Sequence, residues 1–132
     1  MQVKAQAKAL RSSPRKLGLV AGLVRGTSVE EAMTILEHTP RRAAGMLREV
    51  IKAAQANAEH NFSLDPKQLD IKTILVNPGF RLKRYRAGSR GMARPITHRS
   101  SSVTVIVEDK PKKTEPRGKA LASSAARRKG KA

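Results

Sequence analysis

The chain has 132 residues, with 28 Lys and Arg against 10 Asp and Glu, a formal charge of +18, and no cysteine. That length allows one domain of modest core plus appendages, and the missing cysteine excludes a disulfide framework, a thiolate nucleophile and a cysteine metal site. A charge of this size opposes compaction unless counter-charge is present, which points to a polyanionic partner, nucleic acid before an anionic membrane.

Residues 3–9 come first. Val3, Ala5, Ala7 and Ala9 alternate with Lys4, Gln6 and Lys8, a period of two that predicts a strand with a small-residue face. The same alternation lacks the apolar block of a signal peptide, and no run in the chain reaches the roughly 20 apolar residues of a membrane span, so a cytoplasmic protein that does not enter the membrane is expected. Ser13-Pro14 predicts an N-cap and a first-turn proline, followed by Leu17, Val20, Ala21 and Val24 at helical spacing and closure at Gly26. Ser28-Val-Glu-Glu31 is a capping box, and Ala32, Ile35 and Leu36 continue its apolar stripe. Pro40 stops that helix and, with Thr39 as cap, starts a third. Ala43, Leu47, Val50, Ile51, Ala54 and Ala58 hold one face of it, and at its polar end, Asn57-Ala-Glu-His-Asn61, Asn61 caps the helix or the segment touches RNA edges, the cap being favoured. Asp65-Pro66 reads as a loop.

Two strand-like runs follow, at 69–76 and 102–107, with Val103, Val105 and Val107 facing a core. Between Asp70 and Glu108 there is no acidic residue. The centre of that gap holds Arg81, Lys83, Arg84, Tyr85, Arg86, Arg90, Arg94 and Arg99, with Gly88 and Gly91 suited to a chain reversal. Alternation puts Arg81 and Lys83 on one face of a ribbon and Arg84 and Arg86 on the other. A ribbon cationic on both faces has no apolar side for its own protein, and an isolated two-stranded ribbon is barely stable in water. Extended from Leu75 to Arg90 it would run roughly 50 Å at about 3.3 Å per residue, whereas the body would be only about 30 Å across. It should therefore protrude, surrounded by polyanion, with its arginines on phosphates and its glycines allowing close backbone approach.

The fold expected is α+β: a three-stranded antiparallel sheet with three helices on one face and a long protruding β-hairpin. One domain over 1–109 is expected, its hairpin extension at about 77–102, with a basic extended tail at 110–132 that should be disordered on its own. Beyond the ribbon, Arg11, Arg15 and Lys16 flank the start of the first helix, and Arg41 and Arg42 fall in the first turn of the third. Cations there oppose the helix dipole, and a docked phosphate would reverse the sign. The rings, two Phe and one Tyr, are too few to stack successive bases of a single strand. Tyr85 either stacks on a base or packs across the ribbon. His38, His60 and His98 have no carboxylate or second histidine at ligand spacing, so neither metal nor cofactor is expected. No phosphate loop or nucleophile elbow appears, and nothing supports an enzyme.

Several segments together resemble one family. Ser13-Pro-Arg-Lys16, Leu19-Val-Ala21 and Leu23-Val-Arg-Gly26 resemble its first helix, and Ala56-Asn-Ala-Glu-His-Asn61 the end of its third. Leu82-Lys-Arg84, Gly91, Ala93, His98-Arg-Ser-Ser101 and Val103-Thr-Val-Ile-Val107 resemble its hairpin. The family is bacterial-type large-subunit ribosomal protein twenty-two. The resemblance implies a structural constituent of the large ribosomal subunit that binds its rRNA, supports assembly and meets neighbouring large-subunit proteins, with no homo-oligomer. It adds Arg25 and His98 to the rRNA-contacting residues. It also implies that Gly88, Ser89, Arg90, Gly91 and Met92 form a tip lining the nascent-peptide tunnel, near a narrowing shared with large-subunit protein four. The family tip reads Pro-Arg-Ala-x-Gly-Arg-Ala; here Ala87, Gly88 and Ser89 take the first three places, and Met92 replaces the arginine after Gly91. From composition alone the alternative is a free nucleic-acid chaperone or DNA-compacting protein. A membrane-surface binder is disfavoured, because the helices bury small alanines and the charge sits in a ribbon.

Overall fold

The computed structural model describes residues 1–109, where the elements run β1 (Gln2–Leu10), α1 (Pro14–Val24), α2 (Val29–His38), α3 (Arg42–Phe62), β2 (Leu69–Ala87) and β3 (Ala93–Asp109). The expectation for the tail at 110–132 lies outside the described residues. The strands form an antiparallel sheet in the order β1-β3-β2. β3 is central, and the N-terminal strand pairs beside the ribbon base as expected: Val3 faces Val107, and Ala5 faces Val105.

The core is one layer between that sheet and the helices. Val103, Val105 and Val107 are fully buried with Ile71 and Ile74 of β2, against Leu17, Val20 and Val24 of α1 and Leu47 and Ile51 of α3. Burying each such side chain stabilises by about 1.5–3 kcal/mol. Ala43, Ala44, Ala54 and Ala58 are also buried along α3, and their small size lets that helix lie close to the sheet. Ile35, read as part of the α2 stripe, lies instead at its exposed edge.

Helix ends explain most departures from the expected boundaries. The capping box forms, with Glu31 N–H donating to Ser28 Oγ and Ser28 N–H to the Glu31 carboxylate. Thr39 does not cap α3; it ends α2, its hydroxyl donating to the Ile35 carbonyl at 2.7 Å. Arg41 is the α3 N-cap rather than a first-turn residue. Asn61 lies inside α3, and Ser63, at φ 51°, closes the helix: its N–H donates to the Glu59 carbonyl, and the Leu64 N–H donates to the Ala58 carbonyl. Asp65-Pro66 opens a short 3₁₀ turn over Pro66–Gln68.

β2 pairs with β3 in two registers separated by bulges. The first lies between Ile71 and Thr73, where Lys72 is the extra residue. It moves the buried set of β2 from Leu69 and Ile71 to Ile74, so that Ile71 meets Val107 and Ile74 meets Val105 on the core face. Lys72 reaches the Glu108 carboxylate at 2.7 Å, and its hydrogen bond holds that carboxyl below the usual carboxylate range. The outer edge of β2 beside the core is covered by the α1–α2 connection. Gly26 N–H donates to the Ile71 carbonyl and Ile71 N–H to the Thr27 carbonyl, each at 3.0 Å.

The second bulge marks where body becomes hairpin. Gly79 and Phe80 together oppose Ser100, between the Pro78–Ser101 and Arg81–Arg99 pairs. Ser100 Oγ donates to the Phe80 carbonyl at 2.6 Å, and Ser101 Oγ to the Ser12 carbonyl at 2.9 Å. From Phe80 to Arg99 every residue is exposed except Gly88 and Ile96, which are half-buried. The paired strands run almost to the tip, well beyond the 69–76 and 102–107 runs visible in the sequence.

Only glycine fits at residue 79 in this bulge. A Cβ there would stand 2.7 Å from Ser100 Oγ and 3.2 and 3.3 Å from the Ser100 carbonyl carbon and oxygen. Gly79→Ala should therefore destabilise the free protein by about 1–3 kcal/mol through overpacking, read as a lower denaturation midpoint at unchanged slope. An unchanged midpoint would mean that the junction yields without cost.

Candidate nucleic-acid interface

The tie between Ser101 and Ser12 brings the start of α1 against β3 just where β3 leaves the core. α3 begins beside the same place. The result is an open groove of about 710 Å³ lined by Arg11, Ser12, Ser13 and Lys16, by Arg41, Arg42 and Ala43, and by Thr97, His98 and Arg99. It gathers Arg11, Lys16, Arg41, Arg42 and Arg99 around His98, with no acidic side chain in its lining.

Two of the three helices open into this groove, and both are bare. Ser13 makes no side-chain cap to α1, Arg41 makes none to α3, and neither helix has an acidic residue in its first turn. α2 is the internal contrast, with its capping box and with Glu30 and Glu31 in its first turn. A helix N-terminus presents unpaired N–H groups and a partial positive charge. Adding cations costs about 0.3–1 kcal/mol each in the free protein, and an anion bound there turns that cost into attraction.

The hairpin continues the same electrostatics. The register pairs Arg81 with Arg99, Lys83 with Thr97 and Tyr85 with Pro95; in alternation it pairs Leu82 with His98, Arg84 with Ile96 and Arg86 with Arg94. Arg81, Lys83 and Arg99 thus share one face, and Arg84, Arg86, Arg94 and His98 the other. Among the described residues the ion pairs are Arg48–Glu37 and Lys72–Glu108, and neither involves a groove or hairpin cation. Arg84 donates only to the neighbouring Lys83 carbonyl. Tyr85 is 77 % exposed, so its ring is not consumed in packing across the ribbon.

The tip is a tight turn. Gly88 N–H donates to the Met92 carbonyl at 2.7 Å and Met92 N–H to the Ser89 carbonyl at 3.2 Å. Arg90 and Gly91 are both left-handed, at φ 55° and 71°. Glycine takes that conformation freely and arginine rarely does. Met92 is 68 % exposed.

Not every residue selected from the sequence belongs to this surface. Arg25 points elsewhere: its Nε and Nη2 both donate to the Ile74 carbonyl, at 3.3 and 2.9 Å, locking the α1–α2 connection onto the edge of β2. Arg15 is exposed on α1 but does not line the groove. Arg41 and Arg42, legible only as first-turn cations of a separate helix, are brought into one site with Arg11 and Arg99. Phe80 and Leu82 escaped notice as surface groups. They are 55 % and 41 % exposed, and a bulky apolar pair inside a cationic ribbon was the available signal.

Residues 5–108 match the family model described as Ribosomal protein L22p/L17e. The chain is similar to the large ribosomal subunit protein uL22 of Herpetosiphon aurantiacus, 50 % identical over 109 residues, 83 % of this chain and 96 % of that protein. It is 48 % identical over 107 residues to that of Lactobacillus helveticus, covering 81 % and 92 %. With that of Oceanobacillus iheyensis it shares 47 % over 110 residues, covering 83 % and 97 %.

Arg41→Ser tests the cost of the bare helix ends. A serine N-cap should stabilise the free protein by about 0.5–2 kcal/mol, while polyanion affinity falls because a groove cation is gone. Thermal denaturation without RNA and filter binding with RNA measure the two. Stability and affinity rising together would contradict the reading of this groove as an anion site.

Proposed function

The chain belongs to the Ribosomal protein L22p/L17e family, and from that membership we propose that it binds large-subunit rRNA through the groove and hairpin and lines the nascent-peptide tunnel with its tip. The chain is a structural constituent of the large ribosomal subunit and not an enzyme. One observation carries the rRNA reading: the cations of two bare helix starts meet those at the base of a hairpin that contains no acid. Such a surface repels itself when free and is neutralised by a folded RNA that packs phosphates from several directions.

The roles divide by place. Arg11, Lys16, Arg41, Arg42, His98 and Arg99 anchor the body on phosphates, which fixes orientation and carries little sequence information. Arg81, Lys83, Arg84, Arg86 and Arg94 track backbone along the hairpin, with Tyr85 free to stack. Arg15 reaches phosphate from the outer side of α1. Gly88, Ser89, Arg90, Gly91 and Met92 present the tunnel surface to the nascent peptide. Arg25 braces the α1–α2 connection against β2 through the Ile74 carbonyl and stays exposed there, so its rRNA contact is made from that edge rather than from the groove.

Salt dependence tests the anchoring. With roughly 6–10 phosphate contacts, affinity for large-subunit rRNA fragments should fall by about 10³–10⁵ between 50 and 200 mM salt. A nearly flat salt dependence would sink the phosphate model, and a protein found free or on the nucleoid rather than with washed large subunits would favour the chaperone alternative.

The tip is tested separately. Replacing residues 87–93 by a short turn removes Arg90 but spares the body and most ribbon cations. The variant should enter large subunits at near-normal occupancy by mass spectrometry, and its ribosomes should pause differently on a stalling peptide. Normal pausing at full occupancy would exclude the tip from the tunnel wall.

A further inference from the structure

A second, smaller cavity adjoins the groove at the hairpin base. It has a volume of about 250 Å³ and is lined by Ala9, Arg11, Phe80, Leu82, His98, Arg99 and Ser100. Its walls are apolar, Phe80, Leu82 and Ala9, and its rim is cationic. Arg11, His98 and Arg99 line this pocket and the basic groove alike, so the two are adjoining parts of one surface.

The pocket is built rather than incidental. Ser100 fixes the Phe80 backbone through the 2.6 Å bond to its carbonyl, and the Gly79 bulge sets where that ring stands. Ala9, also in the lining, sits at φ 60°, a left-handed conformation that alanine rarely adopts. It falls where the β1 register shifts between Ala7 and Leu10. Strain of this kind tends to persist where the surroundings or a ligand require it. Phe80 stays 55 % exposed within a surface otherwise made for phosphate.

We propose that this pocket receives one unpaired nucleobase of the bound RNA, stacked on Phe80 and Leu82, while the phosphates flanking that nucleotide lie against Arg11 and Arg99. The assignment rests on the rRNA-binding reading and refines it. A pocket of this size falls below that of a drug-sized ligand and suits a single planar ring. The charge complementarity is specific to a nucleotide: an apolar face for the base and guanidinium groups beside it for the phosphodiester. Unpaired bases splayed onto aromatic or arginine planes are the usual handle by which proteins distinguish RNA sites beyond shape. One ring serves one base, which fits a chain poor in aromatics.

Three RNAs matched in length test the assignment on the full chain: a duplex, the same duplex with one unpaired nucleotide, and that bulged duplex with the unpaired position abasic. The bulged RNA should bind about 5- to 100-fold tighter than the other two, the range that one base on one aromatic ring supports. The abasic form keeps the phosphates and the kink, so only the base distinguishes it. Phe80→Ala should bring the preference near unity, and Phe80→Trp should keep it. Equal affinity for bulged and abasic RNA overturns the nucleobase assignment and leaves the pocket to an apolar side chain of a protein neighbour, with phosphate anchoring intact. Failure to bind any of the three at low salt would instead overturn the rRNA reading itself.

Discussion

One strand has to live in two solvents. β3 is a single ladder from Ala93 to Asp109. Its C-terminal part places Val103, Val105 and Val107 in the driest part of the molecule, and its N-terminal part places Arg99 at the open groove and Arg94 out on the exposed hairpin. Nothing interrupts the backbone between them. The core therefore sets the direction and roll of the hairpin: the side of β3 that faces the helices at Val103 is, by alternation, the side that presents Arg99 and Thr97 to the groove. The transition is made by Ser100 and Ser101, both buried and both hydrogen-bonded through Oγ to distant backbone carbonyls. Two small hydroxyl residues suit that place because a larger apolar pair would extend the core and a charged pair would be buried without a partner.

Charge is segregated around this axis. Among the described residues the acids lie on α2, on α3 beyond its first turn, in the turn after it and at the sheet ends remote from the tip. The groove and hairpin hold cations alone. The same sorting appears at the helix starts, where α2 has a full complement of capping groups and α1 and α3 have none. Free in water, that arrangement is a set of small, additive penalties; against polyphosphate each changes sign. Stability of the isolated chain and affinity for its partner are opposed at these residues, so a sequence optimised for the free fold would differ most at Arg41 and Arg42.

Much of the architecture was legible because the relevant signals are local. The capping box at Ser28–Glu31, the alternation of Val103 to Val107 and the α3 stripe from Ala43 to Ala58 each follow from spacing alone, and so did two-faced charge on the ribbon. What escaped depends on which atoms meet across the fold. Arg25 looked like one more surface cation, and only the approach of Ile74, far along the chain, makes it a brace. Asn61 had the right chemistry for a cap, but α3 continued to Ser63, which accepted the left-handed turn. Ala9 fitted the β1 alternation on paper and breaks it in space, since a register shift leaves no trace in a run of alanines and lysines. The groove illustrates the same limit: its cations could be named from sequence, yet their convergence needed the Ser101–Ser12 bond.

The departures from regular geometry are concentrated at the hairpin base, and leverage gives the physical reason. From Phe80 to Arg90 the ribbon extends roughly 35 Å at about 3.3 Å per residue. Over such an arm, a tilt of about 5° at the base moves the tip by roughly 3 Å, as much as a hydrogen-bond length. A regular two-stranded ladder is too pliable to hold that angle alone. The bulge at Gly79 and Phe80, its lock through Ser100, and the attachment of β3 to Ser12 stiffen the one place where an error would be magnified. A base seated on Phe80 and phosphates held by Arg99 would add restraint from the RNA side at the same pivot. Aim and attachment then become one problem solved at one location, and the tip, with its left-handed Arg90 and exposed Met92, can vary in sequence without disturbing either.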